Sequence, residues 1–374
     1  MSLHVGVDAS RVDRGQRTGT EQYSAQLIEA LGALDREHRY TLYVNARTRP
    51  ALTLPPNFRA RLIPCPRLWT HARLSAEMLT RPPDLLFVPA HVVPLAHPHT
   101  VVTIHDLGYR HFPGAHPWRA RRYLAWSTAW SAAVARRIIV PSEATARDLV
   151  AAHRVPRERI AVIPHGHHPR FRPLPPQEVA AGLARLGIAP PYILFVGTLQ
   201  PRKNLARALA AFEAFVAGGQ PHRLVLVGQR GWLADPLFDA IARADSPAHG
   251  RIHLTGYLAD ADLPIVYNGA AALTFPSLHE GFGLPALEAL ACGTPVLTSN
   301  TSALPEVVGD AALTIDPLDT AAITAGLQRL TADQTLRDTL RERGLARARH
   351  YTWQRAAERT LAVLEEVGHH ARCP

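Results

Sequence analysis

Three cysteines in 374 residues, Cys65, Cys292 and Cys373, are odd in number and far apart, and they form no metal-like pair. Neither a disulfide framework nor a thiolate metal centre is expected, and a reducing cytosol suits them best. No apolar run approaches about eighteen residues, so no transmembrane helix is expected. The opening MSLHVGVDAS passes straight into a strand pattern, without the basic-then-apolar plan of a signal peptide. The expected location is therefore cytoplasmic. No Gly-x-Gly-x-x-Gly turn follows that first strand, which argues against a dinucleotide-dependent oxidoreductase. Acids are scarce as well: 31 Asp and Glu stand against 41 Lys and Arg, a net charge of +10. From Arg119 to Arg172, eleven arginines face only Glu143, Asp148 and Glu158. Such a basic face attracts phosphates, nucleic acid or anionic lipid. No nucleic-acid module is visible, so nucleic acid is not an expected partner. Trp118, Trp126 and Trp130 interleave with the first of these arginines. That pattern suits contact with an anionic membrane on its inner face, and the helical spacing of the aromatics equally suits core packing.

What is present is a long alternation of short apolar runs with helical patterns. The runs are 3–9, 40–45, 61–65, 84–89, 101–106, 137–142 and 160–166 in the first half. In the second they are 192–197, 223–228, 252–256, 272–277, 295–300 and 312–316. Near-continuous apolar strands separated by helices signify buried parallel sheets with crossover helices. Thirteen strands are too many for one comfortable sheet. The segment HHPRFRPLPPQEV (167–179) is proline-rich, basic and non-periodic, and reads as a linker. The division expected is a first domain over 1–170, a linker over 171–190, and a second domain over 191–350. Both domains are of the doubly wound α/β class. An amphipathic helix over 351–370 follows.

The richest stretch is SLHEGFGLPALEALACGTPVLTSN (277–300). Glu280 precedes a glycine-broken loop, Gly281-Phe282-Gly283-Leu284-Pro285, and Glu288 lies about one turn into the helix after it. A helix N-terminus exposes N–H groups and the positive end of a dipole. Two carboxylates beside such donors suit a sugar nucleotide, which carries both hydroxyls and oxyanions. In YILFVGTLQPRKNL (192–205) a strand ends at Gly197, and Arg202 and Lys203 then precede a helix. Cations at the positive end of a dipole are locally unfavourable, which points to a bound diphosphate. In VVTIHDLGYRHFP (101–113) a strand ends on His105-Asp106, open to reading as an acid/base pair, an incomplete metal site or a satisfied turn. The histidines 165, 167 and 168 read as solvated residues of a hinge loop, and no metal is expected.

Taken together, these strings closely resemble the donor-site signature of the retaining GT-B glycosyltransferases, group 1 and family 4. The variant VGTLQPRKNL with HEGFGLPALEALACGTPVLTSN is most similar to members that transfer mannose from GDP-mannose during polysaccharide assembly. The resemblance implies two Rossmann-like domains facing each other across a cleft, with the helix 351–370 crossing back onto the first. It implies no cofactor beyond the nucleotide sugar as co-substrate, and a glycan or lipid-linked acceptor. Arg202 and Lys203 are implied to hold the diphosphate, Glu288 the ribose, and Glu280 with the Gly281–Leu284 backbone the sugar hydroxyls. Tyr257 and Leu258 are implied to meet the nucleobase. His105 is implied near the transferred sugar and Asp106 near the acceptor. Gly19 matches the loop that closes over the diphosphate, although this chain has Thr18-Gly19-Thr20-Glu21 where the family pattern has several glycines; Arg17 could add charge there. UDP-glucose or another UDP-hexose is the alternative donor. A sugar-nucleotide epimerase shares the fold and needs no acceptor. A non-catalytic scaffold would be expected to have lost Arg202, Lys203 or the glutamates.

Overall fold

Short runs of Val, Ile, Leu and Phe with no polar face can bury their backbone only when both sides of a sheet are covered. The chain does this twice. In a computed structural model describing residues 2–12, 19–46, 52–115 and 117–372, it divides into two units. The first comprises Met1–Arg110, Pro117–Gly166 and Thr352–Pro374; the second comprises His111–His116 and His167–Tyr351.

The first unit holds seven parallel strands: β1 (His4–Asp8), β2 (Arg39–Val44), β3 (Phe58–Leu62), β4 (Leu85–Val88), β5 (His99–Thr103), β6 (Arg137–Val140) and β7 (Ile160–Val162). Their order is β3-β2-β1-β4-β5-β6-β7, so chain direction across the sheet reverses between β1 and β4. The helix Trp353–Arg372 belongs to this unit. It lays Trp353, Ala357, Leu364 and Val367 into the same apolar core as Leu27, Ile28 and Leu31 of the helix Gly19–Leu34.

In the second unit six parallel strands follow: β8 (Tyr192–Val196), β9 (Arg223–Val227), β10 (Ile252–Gly256), β11 (Ala272–Phe275), β12 (Val296–Ser299) and β13 (Leu313–Ile315). They are ordered β10-β9-β8-β11-β12-β13, with the reversal between β8 and β11. In doubly wound sheets a ligand sits beyond the carboxyl ends of the two strands at that reversal. The charged residues singled out in the second half of the sequence all follow one or other of those two strand ends.

Two expectations are corrected here. The third strand lies at Phe58–Leu62 rather than 61–65. Its pairing with β2 places Phe58 opposite Tyr40, their rings stacked 4.0 Å apart, while Pro64 has no N–H to extend the ladder. The segment expected as a linker carries the helix Pro176–Leu186, and Phe171, Leu183 and Ile188 are buried in the second unit's core. Hydrophobic burial outweighs the proline-rich composition around it. Among the described residues no helix is long and apolar enough to cross a membrane.

Candidate active site

β8 is buried along its whole length and is followed at once by Gly197, whose φ of +145° suits glycine. Beside it, β9 is followed by Gly228. A Cβ on Gly228 would stand 2.0 Å from the Gly197 carbonyl oxygen, so two backbones meet where a side chain has no room. Sequence reasoning missed Gly228. The shared ending of YILFVG and RLVLVG was the available signal.

After Gly197 the chain makes a short 3-10 turn, Pro201–Lys203, and Asn204 takes a left-handed conformation before the helix Leu205–Ala217. Asn204 is buried, and its Nδ2 donates to the carbonyls of Pro276 (3.0 Å) and Pro317 (2.6 Å). The Leu278 amide donates to the Arg202 carbonyl at 3.0 Å, and Arg202 Nη1 donates to the His279 carbonyl at 2.5 Å. The cationic turn after β8 is thereby stitched to the loop after β11. Asn204→Ala should lower stability by about 3 kcal/mol, because two buried carbonyls lose their donor and alanine disfavours the left-handed backbone. Asn204→Gly should recover about 1 kcal/mol of that loss in urea denaturation. Equal losses in the two variants would remove backbone strain from the explanation.

The stitching brings together three charged groups far apart in sequence. Lys203 Nζ lies 2.6 Å from Glu280 Oε1, and Arg202 Nη1 lies 3.5 Å from Glu280 Oε2. Lys203 also sits over the Phe275 ring, 4.9 Å from its centroid. Glu280 is buried, and burial alone would push its carboxyl upward. The Lys203 and Arg202 charges, with hydrogen bonds from Lys203 and Ser277, outweigh burial and hold it below the ordinary carboxylate value. The Glu280 backbone N–H donates to Ser302 Oγ at 3.0 Å.

Next comes the glycine-broken loop. Gly283 has φ +108°, and a Cβ there would lie 2.6 Å from Leu304 Cδ2, so conformation and space both require glycine. Phe282 is buried and packs edge-on against Tyr351, 5.8 Å between ring centroids, so its side chain serves packing. From Gly283 the helix Leu284–Cys292 begins, and Glu288 sits buried within it. Its Oε2 accepts a 2.9 Å hydrogen bond from Tyr267 Oη. Burial, then the Glu288 charge, raises Tyr267 well above the usual phenol range, so it stays a donor. Tyr267 was not foreseen, because nothing in its own neighbourhood, LPIVYN, marks it. Tyr257 and Leu258 follow the end of β10, two strands from β8; Tyr257 is exposed, and Leu258 packs partly into the core.

In the first unit, His105 stands just past the end of β5, with Nε2 2.9 Å from the Pro89 carbonyl. A carbonyl only accepts, so Nε2 carries the proton there. The Tyr23 ring meets His105 edge-on at 4.7 Å, and burial lowers the His105 pKa. Asp106 Oδ1 accepts from the Gly108 amide at 2.8 Å, which closes a turn. Gly19 opens its helix at an exposed position with nothing within 4 Å of where a Cβ would be. Arg17, Thr18 and Cys373 lie outside the described residues. The expectation of solvated histidines fails at His165. It is buried between Tyr23 (4.5 Å) and Trp353 (5.9 Å), and burial lowers its pKa far below the ordinary value. The last helix closes over it, which local composition could not reveal. Asp8, buried at the end of β1 beside the reversal in this sheet, was also missed; a carboxylate closing the apolar run VGVD was the signal.

Comparison with known proteins agrees with this architecture. Residues 185–347 match the family Glycosyl transferases group 1, and residues 17–171 match Glycosyltransferase Family 4. The O-antigen chain mannosyltransferase B of Escherichia coli is 35% identical over 263 residues, 70% of this chain and 68% of that protein. Among solved structures, a sucrose-phosphate synthase from Thermosynechococcus elongatus superposes with TM-score 0.79 at 21% identity, covering 98% of this chain and 99% of that one. Anabaena Alr3699/HepE in complex with UDP-glucose gives TM-score 0.75 at 16% identity, covering 97% and 99%. At those identities the two structures speak to the fold alone.

Proposed function

From the premise that the chain belongs to the GT-B glycosyltransferases of group 1 and family 4, we propose that it transfers mannose from GDP-mannose, with retention of configuration and without a metal ion. The acceptor is a saccharide or a lipid-linked saccharide in polysaccharide or glycolipid synthesis. The observation that carries this reading is the Arg202–Lys203–Glu280 cluster at the strand reversal of the second unit, with Lys203 and Glu280 buried and Arg202 partly so. Two fixed cations there match a diphosphate, and the carboxylate between them can turn to sugar hydroxyls once phosphate oxygens take over the cations.

As the glycosidic bond breaks, negative charge grows on the departing β-phosphate. Cations already held in place stabilise that charge more than they stabilise the intact donor, which is the condition for catalysis. A donor-phosphate oxygen takes the acceptor proton, and the acceptor attacks the face that the leaving group vacates. Glu288 accepts from the ribose hydroxyls, and the backbone of Gly281, Phe282, Gly283 and Leu284 lines the sugar. Gly197 gives the phosphates close approach to the strand end, and Tyr257 and Leu258 flank the base. Gly19 contributes backbone to the diphosphate, His105 lies near the transferred sugar, and Asp106 serves the acceptor.

Binding of GDP-mannose, UDP-glucose, GDP and UDP in the presence of EDTA tests the proposal by thermal shift. GDP-selective stabilisation that persists with EDTA, and that is reduced but not abolished in Lys203→Ala, is the expected result. UDP selectivity would overturn mannose as the sugar transferred from GDP, and stabilisation lost on adding EDTA would overturn the metal-free clamp.

Tyr267 allows a finer check of the ribose contact. Tyr267→Phe removes the 2.9 Å hydrogen bond that orients Glu288 and should weaken GDP binding about tenfold, the scale of one hydrogen bond to a charged group. A dideoxy-ribose analogue of GDP should bind both proteins alike in isothermal titration. An equal loss for both nucleotides would give Tyr267 a purely structural role.

A further inference from the structure

The helix Trp118–Val134 buries only Ser127, Thr128, Ser131 and Ala132 against the first unit. Its first two turns, WRARRY, are exposed at every position. Trp118 is 59% exposed, and Trp126 and Tyr123 are nearly half exposed. Large aromatics at this exposure are unusual, because each leaves apolar area in water that an ordinary packing contact would remove. The three tryptophans that the sequence left undecided separate here. Trp130 packs against a buried cluster of the first unit, while Trp118 and Trp126 face outward.

The stretches that carry the exposed rings hold charge of one sign. Residues 107–142 contain six arginines and no Asp or Glu, and residues 38–76 likewise contain no acid. Arg119 and Arg122 lie over the Trp118 ring, at 5.2 and 6.0 Å from its centroid, and Arg121 is exposed beside them. None of the three has a carboxylate partner among the described residues. The patch continues onto the neighbouring turn Trp69–Leu74, where His71 packs against Tyr123 and Trp126. Just before that turn, Leu68 is 72% exposed in a left-handed conformation.

We propose that this face docks on the surface of an anionic phospholipid bilayer. Tryptophan and tyrosine favour the boundary between headgroups and acyl chains, where an apolar ring and a polar edge are both accommodated. Arginines without a carboxylate partner among the described residues meet lipid phosphates beside these rings, and the stretches 38–76 and 107–142 bring no acid of their own to repel a negative surface. An acidic protein would satisfy the charge but would not call for aromatic rings held outward in water.

Flotation of the intact protein with vesicles tests this. One set is phosphatidylcholine alone, and the other contains about a third phosphatidylglycerol. The protein should float with the anionic vesicles only and be released by salt at about 0.5 M. Arg119→Gln, Arg121→Gln and Arg122→Gln combined should lower partitioning roughly 100-fold, about fivefold per arginine. Brominated acyl chains should quench the wild-type tryptophan fluorescence, and this quenching should disappear in the Trp118→Ala, Trp126→Ala double variant. Every substituted side chain is solvent-exposed, so nucleotide binding should be unchanged in both variants; a failure of the donor assignment would therefore register separately. Equal flotation with neutral vesicles, or a triple variant that floats like wild type, overturns the proposal. Retention on RNA with no vesicle binding overturns it too, and assigns the patch to nucleic acid.

Discussion

Replacing Lys203 by alanine should lower kcat about 10²–10³-fold, while affinity for the intact donor falls no more than about tenfold. The asymmetry follows from where charge develops. In the binding mode proposed above, the ground-state diphosphate charge is spread over both phosphates and shared with Arg202 and the surrounding backbone. In the transition state it concentrates on the departing β-phosphate. Lys203 is already fixed in place: it is 8% exposed, bonded to Glu280 at 2.6 Å, and packed between Phe275 and the bare Cα of Gly197. A cation that needs no reorganisation contributes its full electrostatic effect to the barrier. Lys203→Arg keeps the charge but must fit a larger, planar group into the same slot, so it should recover only part of the rate. Steady-state kinetics with GDP-mannose and a saccharide acceptor measures the split. A rise confined to donor KM, with kcat unchanged, would make Lys203 a binding residue and remove it from the chemistry.

Much of the fold is legible in the residues themselves, for a physical reason. Buried parallel strands cannot hide their composition, and all thirteen apolar runs correspond to strands among the described residues, with only β3 displaced. The string around Lys203 is legible because two cations precede a helix N-terminus, where the dipole disfavours them, and the string around Glu280 because its glutamates and glycines resemble a family signature. Their mutual contact is not, since 77 residues separate Lys203 from Glu280 and only the reversal in strand order joins them. Tyr267 is invisible for the opposite reason. A tyrosine in an apolar helix is ordinary until its hydroxyl is found on Glu288. His165 misleads because its neighbours in sequence are polar, whereas its neighbours in space are Tyr23 and Trp353.

Glu280→Gln should separate binding from turnover in the direction opposite to Lys203→Ala. The Glu280 carboxylate neutralises part of the charge on Lys203 and Arg202, and in the proposed binding mode it therefore competes with the incoming diphosphate. An amide of the same shape removes that competition, and GDP should bind more tightly, by about tenfold if one charge-assisted contact no longer has to be broken. Turnover should nonetheless fall about 100-fold, because the proposed contact to the sugar hydroxyls, which orients the reacting carbon, is lost. Stability gives an independent reading. The Glu280 carboxyl is held below its ordinary value in the folded protein, so its contribution is present above the unfolded value of about 4.3 and is lost as pH falls through the lower folded value. Breaking one partner of a buried charged cluster at neutral pH costs about 3 kcal/mol, and Glu280→Gln should show that loss at pH 7. The difference between the two proteins should shrink as the pH drops below about 4, where the wild-type carboxyl also becomes neutral. Saturating GDP should restore much of the variant's stability, since the diphosphate supplies the negative charge that glutamine lacks. A variant that binds GDP more weakly than wild type would mean that Glu280 holds the cations in place for the nucleotide instead of competing with it, and the exchange of partners proposed for this cluster would be wrong.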